Sequence, residues 1–316
     1  MESVTYTPRR VAQILKIEPR ALTEVLRKDT YSPLDLLALR QQLGLMPPQV
    51  DRRRQLFLNF KGGTGKTSLS TSYAFRLAEM GYRVLIIDLD SQGHATKCLG
   101  LEGESFDRTL LEVLVKRVPI SDVIVSAGVP QLDLVPSNLS MSTVDLALMP
   151  MAGREFKLRN AMKEIEGQYD FVVMDAPPSF GLLNLNALMA TDDLVVPVLG
   201  DFLSFHGLKL LFDTLQGLEE DLQHHLSSVF IVINAFNATF KLAKEAQAAL
   251  QEHYGEYLCK SVVRQCTKFA QASSEGRPIF LADPDSKGAQ DIQTLIDEIL
   301  GELLALQAQR REAAGG

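Results

Sequence analysis

The run Lys61-Gly62-Gly63-Thr64-Gly65-Lys66-Thr67 combines glycines, lysines and hydroxyls in a pattern suited to holding phosphate. Glycines let the backbone wrap closely, so that N–H groups face phosphate oxygens. A helix that begins at the end of the loop adds its positive N-terminus. In such a loop Lys66 reaches the β- and γ-phosphates, the Thr67 hydroxyl ligates Mg²⁺, and Ser68 follows in the same turn. The general pattern G-x-x-x-x-G-K-[ST] would place its first glycine at Phe60, so the strict form fails here. Lys61 instead brings a second positive charge into the loop.

Hydrolysis at such a loop needs carboxylates at neighbouring strand ends. Val84-Leu85-Ile86-Ile87 ends in Asp88-Leu89-Asp90-Ser91-Gln92-Gly93, and Phe171-Val172-Val173-Met174 ends in Asp175-Ala176-Pro177-Pro178. The edge beyond the C-terminal ends of strands is where α/β sheets bind ligands. Asp88 and Asp175 are therefore expected to hold Mg²⁺ through water. Asp90, two residues beyond Asp88, is expected on the same face, placed to orient an attacking water.

The elements around these residues follow from periodicity. Gln55 to Phe60 is a short apolar strand, and 67–80 has helical composition that stops at Gly81. Further strands are expected at 83–88, 132–136, 169–175, 193–199, 228–234 and 258–263. Helices are expected at 153–166, 205–217, 241–254 and about 286–310, the last fraying at its Ala-Ala-Gly-Gly end. Strands apolar on both faces belong to a mostly parallel twisted sheet flanked by helices, an α/β fold. A small N-terminal helical domain is expected over 1–46, a linker over 47–54 around Pro47-Pro48 and Arg52-Arg53-Arg54, and the large domain over 55–310. In the front end, Thr7-Pro8, Glu18-Pro19 and Ser32-Pro33 open three short helices. The first carries Val11, Ile14 and Leu15, the second Leu22, Val25 and Leu26, and the third Leu34, Leu37 and Leu39. A tight break between the first two suggests a helix-turn-helix, and a docking bundle for a partner or for the dimer fits the same pattern.

Composition limits the function classes. The 316 residues carry a net charge of −7, unevenly spread. Residues 1–54 hold ten Lys/Arg against six Asp/Glu, a net of +4, and the remainder holds 22 against 33, a net of −11. Nucleic-acid contact must therefore come from local patches. No stretch approaches the ~18–20 apolar residues of a membrane span. Met1-Glu2-Ser3-Val4 precedes no apolar run and predicts no signal peptide. Cys98, Cys259 and Cys266 lack disulfide or metal spacing, which fits a reducing cytosol.

Taken in order, Asn59-x-Lys61-Gly-Gly-x-Gly-Lys66-Thr67, Asp88-x-Asp90-x-Gln92-Gly93 and Asp175-x-Pro177-Pro178 resemble the ParA/MinD family of deviant Walker-type ATPases. The run Asp90 to Thr96 is similar to the ParA branch, as are Glu275-Gly276-Arg277-Pro278-Ile279 and Asp283 to Ala289. The resemblance covers about 55–300. The front end resembles the opening helix of MerR-type DNA-binding domains and the helix-turn-helix of larger plasmid-partition ParAs. The resemblance implies an ATP-dependent sandwich homodimer in which Lys61 crosses to the partner's phosphates and catalyses with Lys66 and Asp90. It implies Gly62, Gly63, Thr64, Gly65, Lys66, Thr67 and Ser68 as nucleotide ligands; Asn234, at a strand end beside Ala235-Phe236-Asn237, is expected at the adenine. It implies slow hydrolysis accelerated by a ParB-like or other cargo-adaptor protein, in the cytoplasm on nucleoid DNA. Non-specific DNA would meet a basic patch drawn from Lys241, Lys244, Lys260, Arg264, Lys268, Arg277 and Lys287. Lys268 stands where the family has an arginine, while a second family arginine, expected near 239, is Thr239 here.

Three other classes bear comparison. A MinD-like membrane-cycling regulator needs a basic amphipathic C-terminal helix, and Leu303 to Glu312 has a short apolar stripe without aromatics. An iron–sulfur reductase on the same fold needs paired mid-chain cysteines, and none stands between Cys98 and Cys259. A small-molecule kinase needs acceptor and lid segments that the sequence does not present.

Overall fold

The computed structural model describes residues 4–18, 28–201 and 203–315. Eight strands form one sheet: β1 (Arg53–Phe57), β2 (Val84–Asp88), β3 (Val125–Val129), β4 (Leu132–Val135), β5 (Phe171–Asp175), β6 (Asp193–Leu199), β7 (Ser228–Phe236) and β8 (Leu258–Arg264). Their order is β3-β4-β2-β5-β1-β6-β7-β8. Every pairing is parallel except β3 with β4. Successive side chains in a strand face opposite sides, and here both sides are apolar. Phe57, Val84, Ile86, Phe171, Val173, Val195 and Val232 enter one core cluster. Leu56, Leu58, Leu85, Ile87, Val172, Met174, Val196 and Ile231 enter the other. The sheet is thus a buried central layer, as its apolar strands predict.

The helices are α1 (Pro8–Leu15), α2 (Pro33–Gln42), α3 (Lys66–Met80), α4 (His94–Cys98), α5 (Leu110–Lys116), α6 (Val144–Leu148), α7 (Lys157–Ala161), α8 (Leu182–Ala190), α9 (Leu203–Leu222), α10 (Lys241–Tyr254), α11 (Lys268–Ser274), α12 (Ile279–Ala282) and α13 (Lys287–Gly315). Leu69, Tyr73 and Leu77 of α3 share the first cluster with Ile292, Leu295, Ile296, Ile299 and Leu303 of α13. α13 also blunts the open sheet edge. Its Glu298 accepts from Lys260 N at 2.6 Å and Ser261 N at 2.8 Å, and its Asp291 accepts from Arg264 N at 2.9 Å. Carboxylates thereby occupy backbone donors of β8 that would otherwise recruit another strand.

Several expectations are corrected. The helix expected at 153–166 is broken into 3-10 turns at Arg154–Phe156 and Met162–Ile165 around α7. Asn186 of α8 takes the backbone groups that would continue it, donating to Arg154 O and accepting from Leu158 N. The first strand begins at Arg53, inside the expected linker, because Arg53 is held by buried Asp193 at 2.6 Å and Arg54 by Asp192 at 2.6 Å. The terminal helix runs Lys287–Gly315, longer than the expected 286–310.

At the front end, Thr7 caps α1 by accepting from Arg10 N, and Ser32 forms a capping box with Asp35 at α2. A bridge between Tyr6 and Tyr31 ties the two helices' entries together. The helix expected from Glu18-Pro19 falls on residues 19–27, outside the described residues. On α2, Leu36 and Leu39 are buried while Leu34 is exposed, so the inward face is shifted from the expected one. This small core packs on the C-terminal end of α3. Arg40 Nε donates to Glu79 O at 3.0 Å, and its Nη2 donates to Ile14 O at 3.1 Å. Glu79, fully buried, faces Arg76 at 2.9 Å and Arg10 at 3.9 Å. Burial and the Arg76 charge pull the Arg40 guanidinium down to about 10. Removing the buried Glu79 carboxylate leaves much of this positive charge uncompensated. Glu79→Ala is therefore expected to cost about 3–5 kcal/mol in urea unfolding; a loss under about 1 kcal/mol would show that the cluster does not hold the front end to the body.

Candidate functional site

The loop runs from the end of β1 into α3, and its conformation depends on glycine at two places. Gly63 and Gly65 have φ of +73° and +87°, the left-handed region. A Cβ on Gly65 would also lie 2.1 Å from Asn234 Nδ2. Asn234, in β7, donates to Thr64 O at 2.8 Å, so the structure sets its amide against the loop backbone. Asn59 Oδ1 accepts from Lys61 N at 2.9 Å while its Nδ2 donates to Pro197 O at 2.7 Å, fixing the loop's start. The Lys66 ammonium donates to Lys61 O at 3.2 Å across the loop. Burial lowers its pKa, opposed by the charges of Asp175 and Asp90. The Thr64 hydroxyl is buried without a partner among the described residues. Gly62, Gly63, Thr64, Gly65, Lys66, Thr67 and Ser68 thus form the turn and first residues at the head of α3.

The expected carboxylates converge on the same edge. Parallel register sets Asp88 opposite Asp175. Both are fully buried. Asp175 accepts from Thr67 Oγ1 at 2.7 Å and from Ser70 Oγ at 2.9 Å. Asp88 accepts from Thr96 N at 2.8 Å, Thr96 Oγ1 at 2.7 Å and Asp90 N at 3.1 Å. Burial, then the neighbouring Asp175 charge, pushes Asp88 up to about 7. Burial pushes Asp175 up to about 6, against the pull of the Thr67 and Ser70 hydroxyls. Asp90 lies beyond the strand end, partly exposed, accepting from Gln92 N at 3.0 Å. Such a carboxylate pair beside a hydroxyl suits a divalent cation. Among the described residues no three His, Cys, Asp or Glu side chains could cage a metal alone.

Sequence reasoning missed Ser70, Thr96 and Asp201. Ser70 is one helical turn beyond Lys66, a spacing that aims both at the same strand end. Asp201 pairs with Lys61 at 2.8 Å. Thr96 closes the Asp90-to-Thr96 run, where its reach back to Asp88 could have been noticed, whereas nothing local distinguished Asp201, whose partner Lys61 is 140 residues away.

The seven basic candidates do not form one patch. Arg264, Lys268 and Lys287 line a cleft of about 630 Å³ at the ends of β7 and β8. Arg264 is bound to Asp291 at 2.7 Å and Lys268 to Asp283 at 3.3 Å, which reduces their free charge. Lys241 and Lys244 are exposed at the start of α10, beside exposed Phe240 and Leu242. Lys260 sits further along β8, its N–H on Glu298 two turns of α13 from Asp291. Arg277 follows α11 next to Gly276, whose added Cβ would lie 2.9 Å from Lys97 O near α4. Of the seven, Arg264, Lys268 and Lys287 share this cleft, and Lys241, Lys244, Lys260 and Arg277 do not line it.

Both carboxyls of the strand-end pair titrate above an unfolded carboxyl, so between about pH 4 and pH 7 the folded chain binds more protons than the unfolded one. The stabilisation is complete below the unfolded pKa and is lost as pH rises through the folded values. Urea unfolding in EDTA is expected to show stability falling by about 1–4 kcal/mol across that window, with a weaker slope in Asp88→Asn. A flat or rising profile would contradict this electrostatic reading.

Comparison with known proteins agrees with this geometry. A family model described as an AAA domain matches residues 55–228. The cell division protein PomZ of Myxococcus xanthus is 68% identical over 98% of this chain and 97% of its own length. The sporulation initiation inhibitor protein Soj of Bacillus subtilis is 32% identical over 76% of this chain and 95% of its own. Cobyrinic acid a,c-diamide synthase of Mycobacterium smegmatis, solved with an ATP analogue and magnesium, superposes with a TM-score of 0.68 at 26% identity, covering 79% of this chain and 94% of that one. With a two-lysine phosphate loop, a strand-end carboxylate pair and these relatives, the chain belongs to the ParA/MinD family of P-loop partition ATPases.

Proposed function

We propose that this protein is a slow ATPase whose ATP-bound sandwich dimer binds DNA non-specifically and positions a cellular cargo. The observation that carries the reading is the meeting of two lysines, Lys61 and Lys66, with Asp88, Asp90 and Asp175 at one sheet edge. Lys66 and the loop amides bind the β- and γ-phosphates. Thr67, Asp88 and Asp175 fit a Mg²⁺ brought in with ATP, and the ion would neutralise phosphate charge there. The synthase bound to an ATP analogue and magnesium supports that choice of ligands. Asp90 orients the attacking water, and Lys61 of a second copy meets the charge that develops on the γ-phosphate. Loss of that phosphate removes the cross-subunit contact and loosens the dimer. Phe180, 65% exposed and stacked edge-on against Phe60 at 5.2 Å, supports a facing copy beside the loop.

PomZ is named a cell division protein, Soj a sporulation initiation inhibitor, and ParA of Caulobacter vibrioides, 31% identical over 79% of this chain, a chromosome partitioning protein, which supports a role in partitioning or division. An adaptor of the ParB-like kind would stimulate hydrolysis. DNA would meet Arg264, Lys268 and Lys287 in the cleft together with the exposed Lys241 and Lys244 of α10, with phosphate contacts additive and salt-sensitive. Membrane cycling by the C-terminus is disfavoured because α13 spends its apolar stripe, Ile292 to Leu303, in the core. No described helix is long and apolar enough to cross a membrane.

Lys66→Ala is expected to abolish ATP binding in equilibrium dialysis; retained micromolar affinity would break the loop assignment. Asp90→Ala should bind ATP, dimerise and lose at least about tenfold in turnover, whereas normal turnover would remove Asp90 from the chemistry. Lys61→Ala should bind nucleotide but dimerise and turn over poorly, and wild-type cycling would rule out the cross-subunit lysine. Charge reversal at Lys241 and Lys268 together should weaken DNA binding and flatten its salt slope by about two units; an unchanged slope would locate the footprint elsewhere.

A further inference from the structure

Lys61 does not point freely into solvent. Its ammonium lies 2.8 Å from Asp201 Oδ2, and the two side chains are only 31% and 33% exposed. Asp201 stands in the loop between β6 and α9. Its other oxygen, Oδ1, accepts from Ser204 N at 2.9 Å and Ser204 Oγ at 2.9 Å. The carboxylate therefore sits at the positive end of a 20-residue helix. The Lys61 backbone is held independently, by Asn59 through its N–H and by Lys66 through its carbonyl. Only the Lys61 side chain needs to move for the ion pair to open.

We propose that Asp201 is a positioning residue that parks Lys61 on its own subunit, so that dimerisation must exchange this intramolecular carboxylate for the triphosphate of the second copy. The proposal rests on the reading of Lys61 as a cross-subunit lysine. One ammonium cannot neutralise Asp201 and a partner's phosphates together. The exchange is nearly balanced, because Asp201 keeps its Ser204 donors and the helix dipole after Lys61 leaves. A ligand shifts such an equilibrium only by its differential affinity for the two states. The ion pair thus sets the nucleotide concentration at which dimers form, and it keeps nucleotide-free chains apart.

The test is sedimentation velocity of the full chain titrated with ATPγS. Asp201→Asn removes the charge but keeps an acceptor for Ser204. It is expected to dimerise at about two- to fivefold lower nucleotide concentration, the range for a partly screened ion pair. Asp201→Glu should return the midpoint toward wild type, and Ser204→Ala, which keeps the charge but removes a donor to the released carboxylate, should raise it. In a Lys61→Ala background Asp201→Asn should have no effect. High salt should narrow the gap between wild type and Asp201→Asn. A midpoint unchanged or raised in Asp201→Asn, or a shift that persists without Lys61, would overturn the proposal even where Lys61→Ala itself dimerises poorly. Normal dimerisation and turnover of Lys61→Ala would instead overturn the cross-subunit reading beneath it.

Discussion

The structure is organised around an electrostatic conflict at one edge of the sheet. Parallel register forces the carboxylates of Asp88 and Asp175 side by side, both without solvent. One strand further, Lys61 and Lys66 are carried on the glycine loop that leads into α3. Thr67, Ser70 and Thr96 donate to the carboxylates and reduce the conflict without removing it, since Asp88 and Asp175 still titrate high. A cation between the acids and an anion over the lysines would satisfy both groups. A metal-bound triphosphate supplies both at once. The apolar, two-sided strands keep this edge rigid, because buried parallel strands have little room to relax.

The uneven charge of the sequence finds a structural reason. The basic front end docks on an acidic body through Arg10 and Arg40 at the end of α3, and through Lys16, 3.6 Å from Asp297 of α13. α3 is the helix that begins at Lys66, so the front end contacts the far end of the same element that presents the phosphate loop. Arg76 extends the connection, donating to Gln293 of α13 at 2.5 Å and lying over the Phe280 ring at 5.3 Å. Front end, loop helix and terminal helix therefore share one buried polar junction.

The legible parts of the sequence were those whose physics is local. The glycine loop, the strand-end aspartates and the Thr7 and Ser32 caps are set by neighbours within a few residues, and the structure has each of them at its expected place. Both-face apolar runs gave the parallel strands for the same reason. What escaped depends on distant partners. Asn186 breaks the 153–166 helix from another element, and Asp192 and Asp193 draw Arg53 and Arg54 into a strand from across the sheet. β3 is a short antiparallel edge with a weak pattern, half of it exposed. Lysine spacing could not reveal that Arg264 and Lys268 are already paired with acids.

The central claim is that ATP, by joining two copies, creates a DNA-binding surface. The most direct measurement is binding of non-specific duplex DNA by Asp90→Ala, in ATP against ADP, across a salt series. The account predicts tight binding in ATP that weakens steeply with salt, and little binding in ADP. Binding indifferent to nucleotide, or absent in both, would contradict it.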